Sequence, residues 1–143
     1  MTALLRLGSW DELGAEAYRI RHAVFVVEQG VPVELEHDEH DALALHALLL
    51  DENCAGLATG RLLFDGHIGR VAVLAGHRGQ GLGKSVMQAL IAEGLRREYA
   101  ALLLHAEVDA VPFYAALGFE SQGEVFMEAG IPHVGMRMAL RAT

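Results

Sequence analysis

Residues His77 to Ser85 read HRGQGLGKS, and they constrain the fold more than any other stretch of the chain. Gly79, Gly81 and Gly83 stand between a strand-length apolar run ending near Leu74 and a segment with apolar residues at Leu82, Val86, Leu90, Ile91 and Leu95. The order is strand, turn, helix. Glycines let successive backbone amides point at one anion without side-chain obstruction. A helix start adds about half a positive charge at the same place. Arg78 and Lys84 reinforce it, so the segment is an anion cradle suited to a pyrophosphate rather than a merely flexible turn. Neither common nucleotide loop fits. A triphosphate loop needs glycine where Arg78 stands, and a dinucleotide loop needs two residues, not one, between its last two glycines.

The rest of the 143 residues organises around this turn as one domain spanning 1–143. A chain of this length buries about 70% of its unfolded surface, and 52% hydrophobic against 21% charged residues gives it a core to bury. A first strand, ALLRLGSW, leads to Ser9-Trp-Asp-Glu12, the form of a capping box. A helix is expected to follow to about Gly30, with Leu13, Ala17, Ile20, Val24 and Val27 on its buried face. The polar, proline-marked stretch from Val31 to Leu43 is expected to be a loop. Three strands on short turns, ALHALLLD, GLATGRLLFD and GHIGRVAVL, predict an antiparallel meander. After the helix from Gly81 to Tyr99, ALLLHAEV is a fifth strand, and the intervening helix makes it parallel to the fourth. Asp109 is expected to cap a short helix, AVPFYAAL, closed by Gly118. Two last strands flank a turn at GIPH. The fold class is mixed α/β (α+β), a mostly antiparallel sheet flanked by helices with one parallel crossover.

A net charge of −8 repels nucleic acid and sets a high demand for local donors on any phosphate ligand. The single cysteine, Cys54, excludes an internal disulfide and fits a reducing compartment; it is expected to be buried and inert. No run approaches about 18 apolar residues, and the N-terminus lacks a signal-peptide pattern. A cytoplasmic protein with no membrane partner is expected. The run ELEHDEHD sets His37 and His40 among five carboxylates. It lacks a zinc spacing, so no metal is expected; a solvated loop is favoured, and its acids offer a rim that draws in a cationic amine.

Arg78-Gly-Gln-Gly81-Leu-Gly83 resembles the Q/R-x-x-G-x-G/A signature of the GCN5-related N-acetyltransferases (GNAT). GRVAVL before it resembles that family's fourth strand. Ala110-Val-Pro-Phe-Tyr114-Ala-Ala-Leu-Gly118-Phe119 is similar to its A-x-x-F/L-Y-x-x-x-G-F segment. The flanks RHAVFVVEQGVPVELEHDEHD and FMEAGIPHVGM resemble the ElaA-like branch. The resemblance implies a splay between strands 4 and 5, acetyl-coenzyme A as co-substrate, and its pyrophosphate on Arg78, Gly79, Gln80, Gly81, Leu82, Gly83 and Lys84. It places the pantetheine arm along Val71, Ala72 and Val73, and the Tyr114 hydroxyl near the thioester sulfur as general acid. Glu107 stands where many relatives place asparagine. A homodimer through the last strands is left open.

Acyl transfer to an amine also needs a proton acceptor. Glu28, Glu36, Asp38, His105 and Glu107 are candidates, and His105 and Glu107 share one face of the fifth strand. Cys54 is badly placed for a covalent acyl-enzyme, so direct attack in a ternary complex is expected. Arg21-x-x-x-Phe25 with Asp38-x-x-Asp41 resembles, more faintly, the acyl-homoserine-lactone synthases, and a non-catalytic acyl-coenzyme A sensor is a further alternative. The acceptor, a small-molecule or peptide amine, is not named by the sequence; Pro132 and His133 either shape its pocket or belong to an ordinary hairpin.

Overall fold

A computed structural model describes residues 3–36 and 38–141. The strands are β1 (Leu4–Gly8), β2 (Leu45–Leu50), β3 (Gly56–Leu62), β4 (Ile68–Val73), β5 (Ala101–Glu107), β6 (Glu120–Glu128) and β7 (Ile131–Ala139). The α-helices are α1 (Trp10–Arg21), α2 (Val33–Glu36), α3 (Leu82–Arg96) and α4 (Val111–Leu117). Strands β1 to β4 form an antiparallel sheet in chain order, and a second antiparallel sheet has the order β5-β7-β6. One parallel bridge, His67 to Leu103, joins the two, with Leu103 N–H donating to Gly66 O at 3.0 Å. The expected parallel neighbours therefore touch at their start and then splay.

Alternation along β2 explains the layers. Ala47 and Leu49 pack with Val86, Met87 and Leu90 of α3, while Leu48 and Leu50 pack with Leu13 and Ile20 of α1. The first helix starts as expected: Ser9 Oγ accepts from Glu12 N–H and Glu12 accepts from Ser9 N–H, a box of about 1 kcal/mol.

Its far end differs. The α-helix stops at Arg21 and continues as a π-helix over His22–Glu28, with Gln29 N–H reaching back to Val24 O at 3.0 Å. The wider turn rotates later side chains off the buried stripe, so Val24 is buried while Val27 is 71% exposed. The expected loop after it contains α2 and a 3₁₀ turn at Glu39–Ala42. Asp109 does not cap α4; it lies in a 3₁₀ turn, and the N-cap is Ala110. The last hairpin turns at Ala129 and Gly130, both at positive φ (51° and 78°), and Pro132 and His133 belong to β7. Two residues with positive φ form the tight turn whose twist matches the strands, which pulls pairing back to Glu128 and Ile131. Cys54 is exposed, at a turn with φ 64°, contrary to the expected buried thiol.

Candidate active site

The glycine-rich turn is open. Gly79 and Gly81 have φ of 80° and 79°, and a Cβ built on either would meet nothing within 4 Å. Gly81 is the left-handed N-cap of α3. The first amide after Arg78 to find a backbone acceptor among the described residues is Ser85 N–H, on Gly81 O at 3.1 Å. The amides from Gly79 to Lys84 thus form an unsatisfied row at a helix start, which is a site for an anion. Arg78 does not simply add to it. Its guanidinium is forked onto Glu28 at the end of the π-helix, at 2.6 and 2.7 Å, and Nε donates to Val73 O at 3.1 Å. That guanidinium holds the Glu28 carboxyl below its ordinary range. Lys84 is exposed.

From the cradle, β4 leads inward. It pairs with β3 alone, so past the His67 bridge its outer edge is open to an extended ligand. Opposite Gly60 the register carries two residues, Arg70 and Val71, where Thr59 pairs with Ala72 and Arg61 with Gly69. This bulge puts Arg70 at φ 52°, a conformation that costs about 1–3 kcal/mol in a non-glycine residue. The Arg70 side chain secures it by donating to Glu36 O (2.9 Å), Leu35 O (3.3 Å) and Asp38 Oδ2 (3.1 Å). Val71 and Val73 are half-buried, and Ala72 is buried beneath α1.

Where β4 and β5 splay lies a cavity of about 490 Å³. Phe25, Val31 and Leu35 wall it from the π-helix and α2; Leu104, His105 and Glu107 from β5; Tyr114 from α4; Glu128 and His133 from the last hairpin. Tyr114 packs edge-on to Phe113 and Phe119, with ring centroids 5.0 and 6.2 Å away. Burial, aided by the nearby Glu107 charge, pushes its hydroxyl up to about 12. His105 Nδ1 lies 2.9 Å from Glu128 Oε1.

Three of the candidate acids leave the list of free bases. Glu36 pairs with Arg21, and Arg21 also holds Asp41 at 2.8 and 3.0 Å. Arg61 joins Asp41 (2.9 Å) to Asp38 (2.7 Å), and Glu28 belongs to Arg78. Burial would raise the Asp41 carboxyl, but Arg21 and Arg61 hold it well below the usual carboxylate range. Three of the run's five carboxylates, Glu36, Asp38 and Asp41, therefore belong to an ion network in which Glu36 and Asp41 are buried, which corrects the expected solvated loop. Glu34 and Glu39 are exposed. The network also absorbs Arg21, Asp38 and Asp41, which carried the faint synthase resemblance. His40 is exposed on the 3₁₀ turn, and His37 lies outside the described residues. Among the described residues no group of three or more His, Cys, Asp or Glu side chains is placed to hold a metal ion, and no helix is long and apolar enough to cross a membrane.

The arrangement brings together Val71, His105, Glu107 and Tyr114 as expected from sequence. Glu128 and His67 were missed, as was the side-chain role of Arg70, whose backbone alone was expected beside the arm; nothing local marks them, since they reach the cavity through cross-strand register and a bulge.

Comparison with known proteins agrees with this geometry. The profile of the acetyltransferase (GNAT) domain matches residues 11–140. The uncharacterized N-acetyltransferase YjcF of Bacillus subtilis is 37% identical over 130 residues, 88% of this chain and 92% of YjcF. The structure of an acyl-CoA N-acyltransferase from Pseudomonas aeruginosa is similar with a TM-score of 0.85 and 30% identity, covering 96% of this chain and all (100%) of that one. That of Escherichia coli ElaA has a TM-score of 0.84 and 29% identity, covering 94% and 99%. The chain belongs to the GNAT acetyltransferase family.

Proposed function

We propose that the chain transfers an acyl group, acetyl in the simplest case, from acyl-coenzyme A to an amine by direct attack in a ternary complex. The observation that carries this is continuity: an unsatisfied amide row at Gly79–Lys84, the open edge of β4, and a cavity at its end walled by Tyr114. The pyrophosphate sits on the peptide amides and Lys84, which suits a chain whose net charge is −8. The arm lies along Val71 to Val73, where bulged backbone amides polarise the thioester carbonyl. Tyr114, held protonated by its raised pKa, protonates the leaving thiolate. His105 and Glu107, on the other wall, serve the amine's proton. Positioning the two reactants supplies much of the remaining acceleration.

Calorimetry with acetyl-coenzyme A, followed by thiol release with a panel of amines, tests the proposal. Saturable heat and amine-dependent release of free coenzyme A are expected. Binding without release from any amine would turn the reading toward a sensor, and absence of saturation would remove it.

A further inference from the structure

The corner of the cavity formed by β5, β6 and β7 is rich in hydrogen-bond acceptors and short of donors. Glu128 lies between two imidazoles: Oε1 is 2.9 Å from His105 Nδ1, and Oε2 is 3.7 Å from His133 Nε2. A carboxylate only accepts, so His105 Nδ1 carries the hydrogen, and in the neutral ring the lone pair is on Nε2. His133 Nδ1 lies 2.7 Å from Ile131 O. A carbonyl also only accepts, so Nδ1 is again the protonated nitrogen. In the neutral ring the lone pair on His133 Nε2 faces a carboxylate oxygen 3.7 Å away, a gap too wide for a hydrogen bond. His133 is only 8% exposed, and what surface it keeps lies on the cavity. Glu107 adds another carboxylate, directly across the strand pair from His133.

The cavity's own cations do not serve this corner. Arg61 is held by Asp38 and Asp41, and Arg70 by Asp38 and the Glu36 carbonyl. Arg78, forked onto Glu28, and the Tyr114 hydroxyl both feel the Glu107 charge. Further charged or titratable neighbours are His67, just before β4 and edge-on to His105 with 6.3 Å between ring centroids, and Arg137 on β7, opposite Leu103 and outside the cavity wall.

We infer that this corner is the docking site for the acceptor's ammonium group, and that the acceptor is a primary amine that arrives protonated, with Glu128 as the residue that selects it. A primary ammonium brings three N–H donors, which fill the gap between Glu128 Oε2 and His133 Nε2 and reach Glu107. Phe25, Val31 and Leu35 offer its body an apolar wall. Resting on the acyltransferase reading above, the chemistry balances simply. The ammonium gives one proton to His105 Nε2; the freed amine forms the C–N bond as the C–S bond breaks. The thiolate takes the Tyr114 proton, and the second amine proton restores Tyr114.

The test uses the full chain, with ring signals of His105 and His133 followed by NMR during titration with benzylamine hydrochloride, ethylamine hydrochloride, benzyl alcohol or benzyltrimethylammonium chloride. At least one primary amine is expected to perturb both histidines saturably, while the alcohol and the quaternary cation do not. Glu128→Gln, at an exposed edge-strand position, should weaken amine binding about tenfold with unchanged circular dichroism, and His133→Asn should weaken it as well. Equal perturbation by the alcohol or the quaternary cation, unchanged affinity in Glu128→Gln, or silence of both histidines toward both amines overturns the inference. Calorimetry with acetyl-coenzyme A on the same samples reads the acyltransferase proposal separately: its failure with amine binding intact removes that proposal and leaves the ammonium site standing.

Discussion

Two charged clusters border one cavity, made from the same kinds of side chain and left in opposite states. In the first, Arg21, Arg61 and Arg70 meet Glu36, Asp38 and Asp41; Arg21, Glu36 and Asp41 are each no more than 2% exposed. Positive and negative charges balance, and Trp10 covers Arg21 with its ring 5.3 Å from the guanidinium. In the second, His105, Glu107, Glu128 and His133 stand at the open end with acceptors outnumbering donors. Glu36 Oε2 and Arg61 Nε have no hydrogen-bond partner even in the closed cluster, so balance of opposite charges, more than residue type or complete hydrogen bonding, separates a charge that holds a fold from one that handles a substrate. The Arg78–Glu28 pair is intermediate: its partners are saturated, yet both side chains are more than 40% exposed.

The largest effect expected from breaking this contrast is in the closed cluster. Arg21→Met strands the buried Glu36 carboxylate and leaves Asp41 to Arg61 alone; it should cost about 3–5 kcal/mol, read as a fall in the urea midpoint. The same network sets acid stability. The Asp41 carboxyl is depressed in the folded chain, so its contribution is complete above the unfolded value of about 3.9 and is lost as pH falls below it. Stability should drop below about pH 4, with a shallower fall in Asp41→Asn.

In the open region the cost should appear in rate. Tyr114→Phe is expected to lower kcat by about 10²-fold or more while the urea midpoint stays put. Because the Tyr114 hydroxyl is pushed up to about 12, the wild-type rate should show no basic limb from this group near pH 10, where an ordinary tyrosine is about half ionised. A basic limb there that vanishes in Tyr114→Phe would contradict the assignment.

Gly81→Ala tests the cradle between the two. A left-handed alanine costs roughly 1–2 kcal/mol, and its Cβ intrudes on the amide row, so acetyl-coenzyme A affinity should fall about tenfold. The smallest effect belongs to the intermediate pair. Glu28→Gln should change stability by less than about 1 kcal/mol and tighten acetyl-coenzyme A binding a few-fold, because it frees Arg78 for the pyrophosphate.

What the sequence disclosed and what it withheld follow the same physical line. The Ser9–Glu12 box, the glycine turn before α3 and the meander β2 to β4 obey rules of a few adjacent residues, and all were legible. The π-helix at His22–Glu28 was not, because no local breaker marks the point where the α-helix widens. The loop acids looked solvated because their arginines lie 15 to 32 residues away along the chain. Pro132 and His133 were left between pocket and plain hairpin, and Glu128 came into view only once the Ala129–Gly130 turn fixed the register of the last hairpin.

The single rung between His67 and Leu103 has a mechanical consequence. A full ladder would lock the distance between β4 and β5; here the width of the slot beyond the rung depends on side chains alone. The slot has the compliance of a packed contact, and the two half-sheets can tilt about the rung like boards sharing one hinge pin. The Leu103 amide, bonded to Gly66 O across that pin, is the natural gauge of the motion, and its hydrogen exchange reports how often the slot widens.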